Sequence, residues 1–231
     1  MLLNTSSKTA ILVFANSSQE EAKHKKIPKG KALFDALTEQ TLKTVEKSDL
    51  PYFHFSENEQ VGSSFGERFT NAIQTVFDKG YDFIITIGND TPQLKVSHIL
   101  ETEQQLQSNK FVLGPSTDGG FYLMGLNKSQ FEQINFNKLS WQSSSLYKQL
   151  FDQISGTKKI VFRLEYLVDI DTKADIYSIL NFANSLTAKI RSFLLQTLNL
   201  PRLQLSRSFS YLSSSFSSIS YNKGSPIKLH G

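Results

Sequence analysis

The stretch FIITIGNDTPQL, residues 83–94, decides how this chain is read. Its first half, Phe83-Ile84-Ile85-Thr86-Ile87, is an apolar run that reads as a buried strand. The run stops abruptly at Gly88-Asn89-Asp90-Thr91-Pro92, which places a carboxylate at the strand's tip. One reading makes Asp90 a turn or N-cap residue for a helix that Pro92 begins. The other makes it a ligand for a hard cation, because Mg²⁺ takes one or two protein carboxylates together with phosphate oxygens.

Working outward, the flanking segments alternate in type. Residues 9–15 form a short apolar strand, Leu33, Phe34, Leu37, Thr41 and Val45 follow a helical period, and Tyr52-Phe53-His54-Phe55 is strand-like. A helix opens at Phe65-Gly66-Glu67-Arg68-Phe69, runs to Phe77 and is stopped by Gly80. Pro92 is expected to start a helix with Val96, Ile99, Leu100 and Leu106 on one face, and strands follow at 111–113 and 121–124. Continuous apolar strands separated by helices indicate a largely parallel sheet covered on both faces. In such sheets ligands sit beyond the carboxyl ends of the strands, which is where Asp90 falls.

The second informative stretch is GPSTDGGFYLMGL, residues 114–126. Asp118-Gly119-Gly120 reads as a hairpin turn between two strands. The same paired glycines also let a backbone approach a ligand closely.

Composition narrows the classes. The 231 residues suffice for one domain with an appendage; 39% are hydrophobic and 20% charged, with 18 Phe and 8 Tyr, as in a globular protein. The absence of cysteine excludes disulfides, thiolate metal sites and a cysteine nucleophile, and the four histidines lack metal-ligand spacing. No run reaches the roughly 20 apolar residues of a membrane span, and the start lacks a signal-peptide pattern, so a cytoplasmic protein is expected. The pI of 9.1 comes from the C-terminal end. Residues 184–231 hold six basic side chains and no acidic ones, leaving 19 basic against 21 acidic in 1–183. A basic nucleic-acid footprint on the globular part is therefore not expected.

Four stretches in order, GSSFGERFTNAI (62–73), FIITIGNDTPQL, VLGPSTDGGFYLMGL (112–126) and LVDIDTKADI (167–176), resemble the radical-SAM/selenodomain-associated transferases. LSWQSSSLYKQL (139–150) is similar to that family's Trp-Ser/Gly-Thr segment. These transferases are a branch of the GT-A-like nucleotide-diphospho-sugar transferase superfamily, and the resemblance covers about residues 9–183. It implies a three-layer α/β fold with a largely parallel central sheet that binds a nucleotide or nucleotide sugar at its carboxyl edge. It places Asp90 as the metal-binding aspartate for Mg²⁺ or Mn²⁺, with Asp169 or Asp171 as a second ligand; strand alternation puts both on one face. Both aspartates also fit as caps of a helix starting near Lys173. Asp118 falls near the acceptor or sugar, beside Gly119 and Gly120. Gly62, Gly66 and Arg68 match a segment beside the nucleotide, and Asn89 and Trp141 complete the candidate binding set. Arg68 reads equally as a surface residue of a first helical turn.

The chain also departs from the family pattern. FANSSQEEAKHKKI (14–27) replaces a glycine- and proline-containing loop followed by Lys-Thr-Arg-Leu, and Gly88-Asn89-Asp90 replaces Gly-Ser-Asp. Lys25 or Lys26 can reach a phosphate only as a point charge, without arginine's fork; a solvated charged turn is the favoured alternative for this stretch.

The function implied is a metal-dependent transferase on a nucleotide-activated donor, foremost a glycosyltransferase. The alternatives are a nucleotidyltransferase of the guanylyltransferase type and a non-catalytic member. Apolar residues keep a helical period over about 174–199, and Phe209, Tyr211, Leu212, Phe216, Ile219 and Tyr221 follow it. Residues 184–231 form a basic, Ser- and aromatic-rich C-terminal extension. It either contributes to a homodimer interface or folds back on its own domain.

Overall fold

Strand β1 (Thr9–Phe14) is buried along its whole length. Ala10, Leu12 and Phe14 join one apolar cluster, while Ile11, Val13 and the following Ala15 join another on the opposite face. A strand buried on both sides needs a layer over each face, which is why its sequence runs apolar without alternation. The computed structural model describes residues 8–25, 27–156, 160–182 and 186–199. Lys26 and the aromatic segment 206–221 lie outside the described residues, as does the proposed contact through that segment.

The chain then runs through α1 (Ser18–His24), α2 (Gly30–Glu46), β2 (Tyr52–Phe55), α3 (Phe65–Phe77), β3 (Phe83–Ile87), α4 (Val96–Gln107), β4 (Phe111–Pro115) and β5 (Phe121–Asn127). After β5 come α5 (Lys128–Gln133), a 3₁₀ turn at Phe136–Lys138, α6 (Leu146–Ser155), β6 (Val161–Arg163), α7 (Lys173–Leu180) and α8 (Ala188–Thr197). The six strands lie in the order β2-β1-β3-β5-β4-β6. Strand β5 is antiparallel to both neighbours, and the remaining pairings are parallel. The result is a three-layer α/β fold around a mostly parallel sheet, as expected from the sequence.

One face is covered by α3 and α6. Helix α3 starts at a capping box, in which Ser64 accepts from the Glu67 amide at 3.2 Å and Glu67 accepts from the Ser64 amide. It turns Phe69, Ala72, Ile73, Val76 and Phe77 onto the sheet. The other face carries α4 through Ile99 and Leu106 and α2 through Val45. A third cluster joins α2, α7 and α8 through Leu33, Leu37, Ile176, Ile179, Ile190 and Leu194. No helix among the described residues is long and apolar enough to cross a membrane.

Two sequence expectations need correction. Pro92 does not begin a helix: residues 91–94 form a buried turn, with the Leu94 amide donating to the Thr91 carbonyl, and α4 starts at Val96. The turn is held by the chain passing over it, since the Val168 amide donates to Gln93 Oε1 and the Ile170 amide to the Asp90 carbonyl. The single helix expected over 174–199 is two, α7 and α8. Thr187 restarts the chain as an N-cap that accepts from the Ile190 amide at 3.3 Å.

Candidate functional site

Parallel register brings the ends of β1 and β3 to one edge, with Val13 beside Ile87. Strand β5 begins at that edge, and the Gly88 amide donates to the Tyr122 carbonyl across it. Above the edge lies a cavity of about 790 Å³ with one acidic side and one aromatic side. That size suits a ligand of nucleotide dimensions.

The acidic side is organised around Lys25. The residues read as a solvated turn form α1, with Ser17 as N-cap and Lys25 directly after the last helical residue. Lys25 points inward, with 14% of its side chain exposed. Its Nζ lies 2.5 Å from Asp90 Oδ2, 2.9 Å from Asp171 Oδ1 and 3.2 Å from Glu21 Oε2. An ammonium has three donors and no acceptor, so three carboxylates can share it. Burial opposes the charge, but Asp90, Glu21 and Asp171 outweigh it and hold the ammonium well above the ordinary lysine value. Asn16 Nδ2 donates to Glu21 Oε1 at 3.0 Å, and Asn89 Nδ2 to Thr38 Oγ1 at 2.8 Å, which fixes the loops on either side.

Asp169 lies deeper in the same cavity and accepts a short hydrogen bond from Thr91 Oγ1. Burial raises its carboxyl well above the usual range, and the nearby charge of Asp90 raises it further. Asp171 is also raised, by burial first, with Lys25 pulling the other way. Neither aspartate caps the helix that follows. Thr172 does so, accepting from the Asp175 amide while Asp175 receives the Thr172 amide at 2.7 Å. Asp90 caps nothing either, because α4 begins six residues after it.

Asp118 lines the mouth. Its Oδ1 accepts from the Gly120 amide at 2.9 Å and from the Ser116 hydroxyl, which closes the β4–β5 hairpin turn. Gly119 is wanted for packing: at φ +95° its missing Cβ would stand 2.1 Å from the Ser144 carbonyl oxygen. The segment before α6 thus lies flat on the turn, and the Tyr147 amide donates to the Gly119 carbonyl at 2.9 Å.

The aromatic side is a cluster of Phe14, Phe65, Phe69, Phe121 and Trp141. Trp141 sits 4.8 Å from Phe65, 5.0 Å from Phe69 and 6.1 Å from Phe121 between ring centroids. Its indole Nε1 donates to the Phe136 carbonyl at 2.8 Å, and the ring covers Gly66, where a Cβ would meet Nε1 at 2.7 Å. Arg68 lines the rim with its Nε donating to Gln60 Oε1 at 3.3 Å.

Of the residues singled out in the sequence, Lys25, Arg68, Asn89, Asp90, Asp118, Gly120, Trp141, Asp169 and Asp171 line this one cavity. Gly62, Gly66 and Gly119 do not; Gly66 lies behind Trp141, and Gly62 occupies the exposed turn before α3. The sequence reading passed over Glu21, Phe65 and Phe121. Glu21 stands four residues before Lys25, the spacing of a helical ion pair. Phe65 and Phe121 each adjoin a motif glycine, Gly66 and Gly120.

Among the described residues no three or more His, Asp or Glu side chains are placed to hold a metal ion as they stand. The donor chemistry nonetheless suits a hard cation. Asp90 Oδ2 and Asp171 Oδ1 converge on one positive centre, the Lys25 nitrogen, within 2.9 Å. Two carboxylates are what Mg²⁺ needs from a protein when phosphate oxygens and water complete its shell.

The fold has solved counterparts. A Desulfovibrio desulfuricans G20 protein provisionally described as a nucleotide-diphospho-sugar transferase matches 84% of this chain and 95% of its own, at 21% identity and a TM-score of 0.66. A 4-diphosphocytidyl-2C-methyl-D-erythritol synthase from Anaerococcus prevotii DSM 20548 matches 77% of this chain and 99% of its own, at 13% identity and TM-score 0.49. A cytidylyltransferase from Leptospira borgpetersenii serovar Hardjo-bovis matches 93% and 99%, at 12% identity and TM-score 0.44. The first likeness identifies a GT-A-like fold. No curated protein matches the sequence. Residues 10–143 match the family described as "Uncharacterized protein conserved in bacteria (DUF2064)", and the chain belongs to that family.

Proposed function

We propose that the protein is a divalent-cation-dependent transferase acting on a nucleotide-activated donor, foremost a glycosyltransferase using a nucleotide-diphospho-sugar. Membership of the radical-SAM/selenodomain-associated branch and action in the cytoplasm belong to the same reading. The observation that carries it is the two-sided cavity at the carboxyl edge of the sheet. Glu21, Asp90, Asp118, Asp169 and Asp171 line it against Lys25 and Arg68. An anionic diphosphate is repelled by such a site unless a cation comes with it. Asp90 and Asp171, with Asp169 behind them, are the residues that would hold Mg²⁺ or Mn²⁺. The bound ion would supply Lewis acidity, neutralising charge on the departing diphosphate.

The remaining work falls to the chain itself. In glycosyl transfer the bond between the sugar's anomeric carbon and the diphosphate oxygen breaks, and a bond to an acceptor oxygen forms. Lys25 and Arg68 offer positive charge to the diphosphate. Asp118, three residues before Phe121, offers a carboxylate to take the proton of the acceptor hydroxyl. The faces of Phe65, Phe121 and Trp141 suit a base or the apolar face of a sugar. Holding donor and acceptor together supplies rate through orientation.

Trp141 is the only tryptophan, so its fluorescence reports on this cavity. Nucleoside diphosphates, triphosphates and nucleotide sugars should change it in Mg²⁺ or Mn²⁺ and not in EDTA, and Asp90→Asn should abolish the difference. A ligand at 100 times its Kd stabilises by about 2.7 kcal/mol, or about 5–10 °C in Tm for a chain of this size. Equal binding with and without a divalent ion, in wild type and variant alike, refutes the reading. Preference for a triphosphate over every nucleotide sugar moves the assignment to nucleotidyl transfer. Absence of all binding leaves the non-catalytic member.

A further inference from the structure

Lys25 sits where a cation is needed. It is held by three carboxylates, and its ammonium also lies 5.5 Å from the centre of the Phe34 ring. Magnesium and calcium bind carboxylate oxygens at about 2.0–2.6 Å. An ion using Asp90 Oδ2 and Asp171 Oδ1 would stand close to the Lys25 nitrogen, which already touches both. Like charges so near repel strongly in a partly buried site. Joint occupancy is therefore unfavourable.

We infer that Lys25 Nζ and the divalent cation are alternative occupants of one position between Asp90 and Asp171, so that the ion enters as the lysine leaves. This rests on the metal-dependent reading above. The backbone allows the exchange: Lys25 has already left helical geometry, at φ −92° and ψ 100°, so its side chain can swing without unwinding α1. Leaving costs the ammonium its contacts with Asp90 and Asp171, and an incoming diphosphate offers replacements. The lysine thus balances charge in the ligand-free protein and becomes a cationic contact for the ligand once the ion is in place. A bare ion must compete with a tethered ammonium; an ion arriving with a polyanion meets less opposition.

The test is a Mn²⁺ titration without nucleotide, counting free ion by electron paramagnetic resonance, on wild type, Lys25→Gln, Lys25→Arg and Asp90→Asn. Removing the competing charge should tighten Mn²⁺ binding in Lys25→Gln by about tenfold or more, a change of at least about 1.4 kcal/mol. Lys25→Arg should stay at or below wild type, and Asp90→Asn should lose the site. Wild type gives a second readout that does not depend on any variant folding. Acetylation of Lys25 by acetic anhydride, mapped by mass spectrometry, should rise when Mn²⁺ is added, while exposed Lys31 and Lys43 stay unchanged.

Equal Mn²⁺ affinity in wild type and Lys25→Gln, or Lys25 labelling that saturating Mn²⁺ does not alter, overturns the exchange and leaves the metal-dependent reading standing. If neither wild type nor Lys25→Gln binds Mn²⁺, with or without nucleotide, the metal-dependent reading itself falls. Lys25 is then the permanent counter-ion of the site.

Discussion

Gly119 and Gly80 share a left-handed backbone, at φ +95° and φ +87°, but not their surroundings. A Cβ on Gly80 would meet nothing within 4 Å, whereas on Gly119 it would stand 2.1 Å from the Ser144 carbonyl oxygen and 2.6 Å from that residue's carbonyl carbon and Cα. Gly80→Ala therefore isolates the conformational term, about 1–2 kcal/mol for an L-residue forced into this region. Gly119→Ala carries the same term plus the displacement of residues 143–146. That obstacle is backbone and cannot turn aside as a side chain would.

Overpacking of this kind costs about 1–3 kcal/mol, so Gly119→Ala should lose about 2–5 kcal/mol in total. At about 2–4 °C per kcal/mol for a chain of this size, the expected drops in Tm are about 2–8 °C for Gly80→Ala and about 4–20 °C for Gly119→Ala. Thermal melts followed by circular dichroism separate them. The shifted segment carries Ser143, Ser144 and Leu146 of the cavity wall, close to Trp141. Gly119→Ala should therefore also weaken ligand binding, and Gly80→Ala should leave it unchanged. Equal losses of stability in the two variants, or a neutral Gly119→Ala, would show that Ser144 does not constrain the turn.

Two further outcomes are expected. Burial, then the charge of Asp90, holds the Asp169 carboxyl well above its ordinary value of 3.8, so the folded protein keeps this proton to higher pH than the unfolded chain does. Stability from this group is full below about pH 4, near the ordinary value, and is lost as pH rises through the raised value, so the Tm of Asp169→Asn relative to wild type should climb as the pH is raised above about 4; a constant or falling difference contradicts the assignment. Ile190, Leu194 and Leu195 of α8 are buried, each worth about 1.5–3 kcal/mol, so a chain ending at Ala183 should lose about 4–9 kcal/mol relative to one ending at Asn199. Equal urea midpoints for the two would refute that. The chain ending at Asn199, compared with the full chain by light scattering, is then the fair test of a homodimer built on the C-terminal extension, since it spares α8.

The central strands were legible because burial on both faces leaves an unmistakable composition. Ile84 and Ile85 face opposite clusters, as do Leu12 and Val13, so neither strand has a polar side to blur the pattern. Strand β6 was not legible: Val161, Phe162 and Arg163 are three half-buried or exposed residues on the sheet's outer edge, too few to show a period. The break between α7 and α8 was hidden for the opposite reason. Both helices feed one cluster through Ile176, Ile179, Ile190 and Leu194, so the apolar residues kept a common spacing across the turn at Asn181 and Phe182.

The reading of residues 14–27 as a solvated charged turn failed because its residues were weighed singly. Loss of glycine after β1, two added glutamates and lysines in place of arginine each count against a phosphate loop. Taken together they describe α1. Ser17 caps the helix, Glu57 accepts from the Ser17 amide and hydroxyl at 2.6 Å each, and Glu21 reaches Lys25 one turn later. A helix needs no glycine where a phosphate-cradling loop does, and Glu21 is what steadies an inward lysine beside Asp90. The glutamate that argued against an anionic ligand is thus part of the device that presents a cation at the sheet edge. Local composition reports net charge, whereas the site depends on which charges the backbone brings within 3 Å of one another. That pairing spans 65 residues from Lys25 to Asp90, and it takes the β1–β3 register together with α1 to supply it.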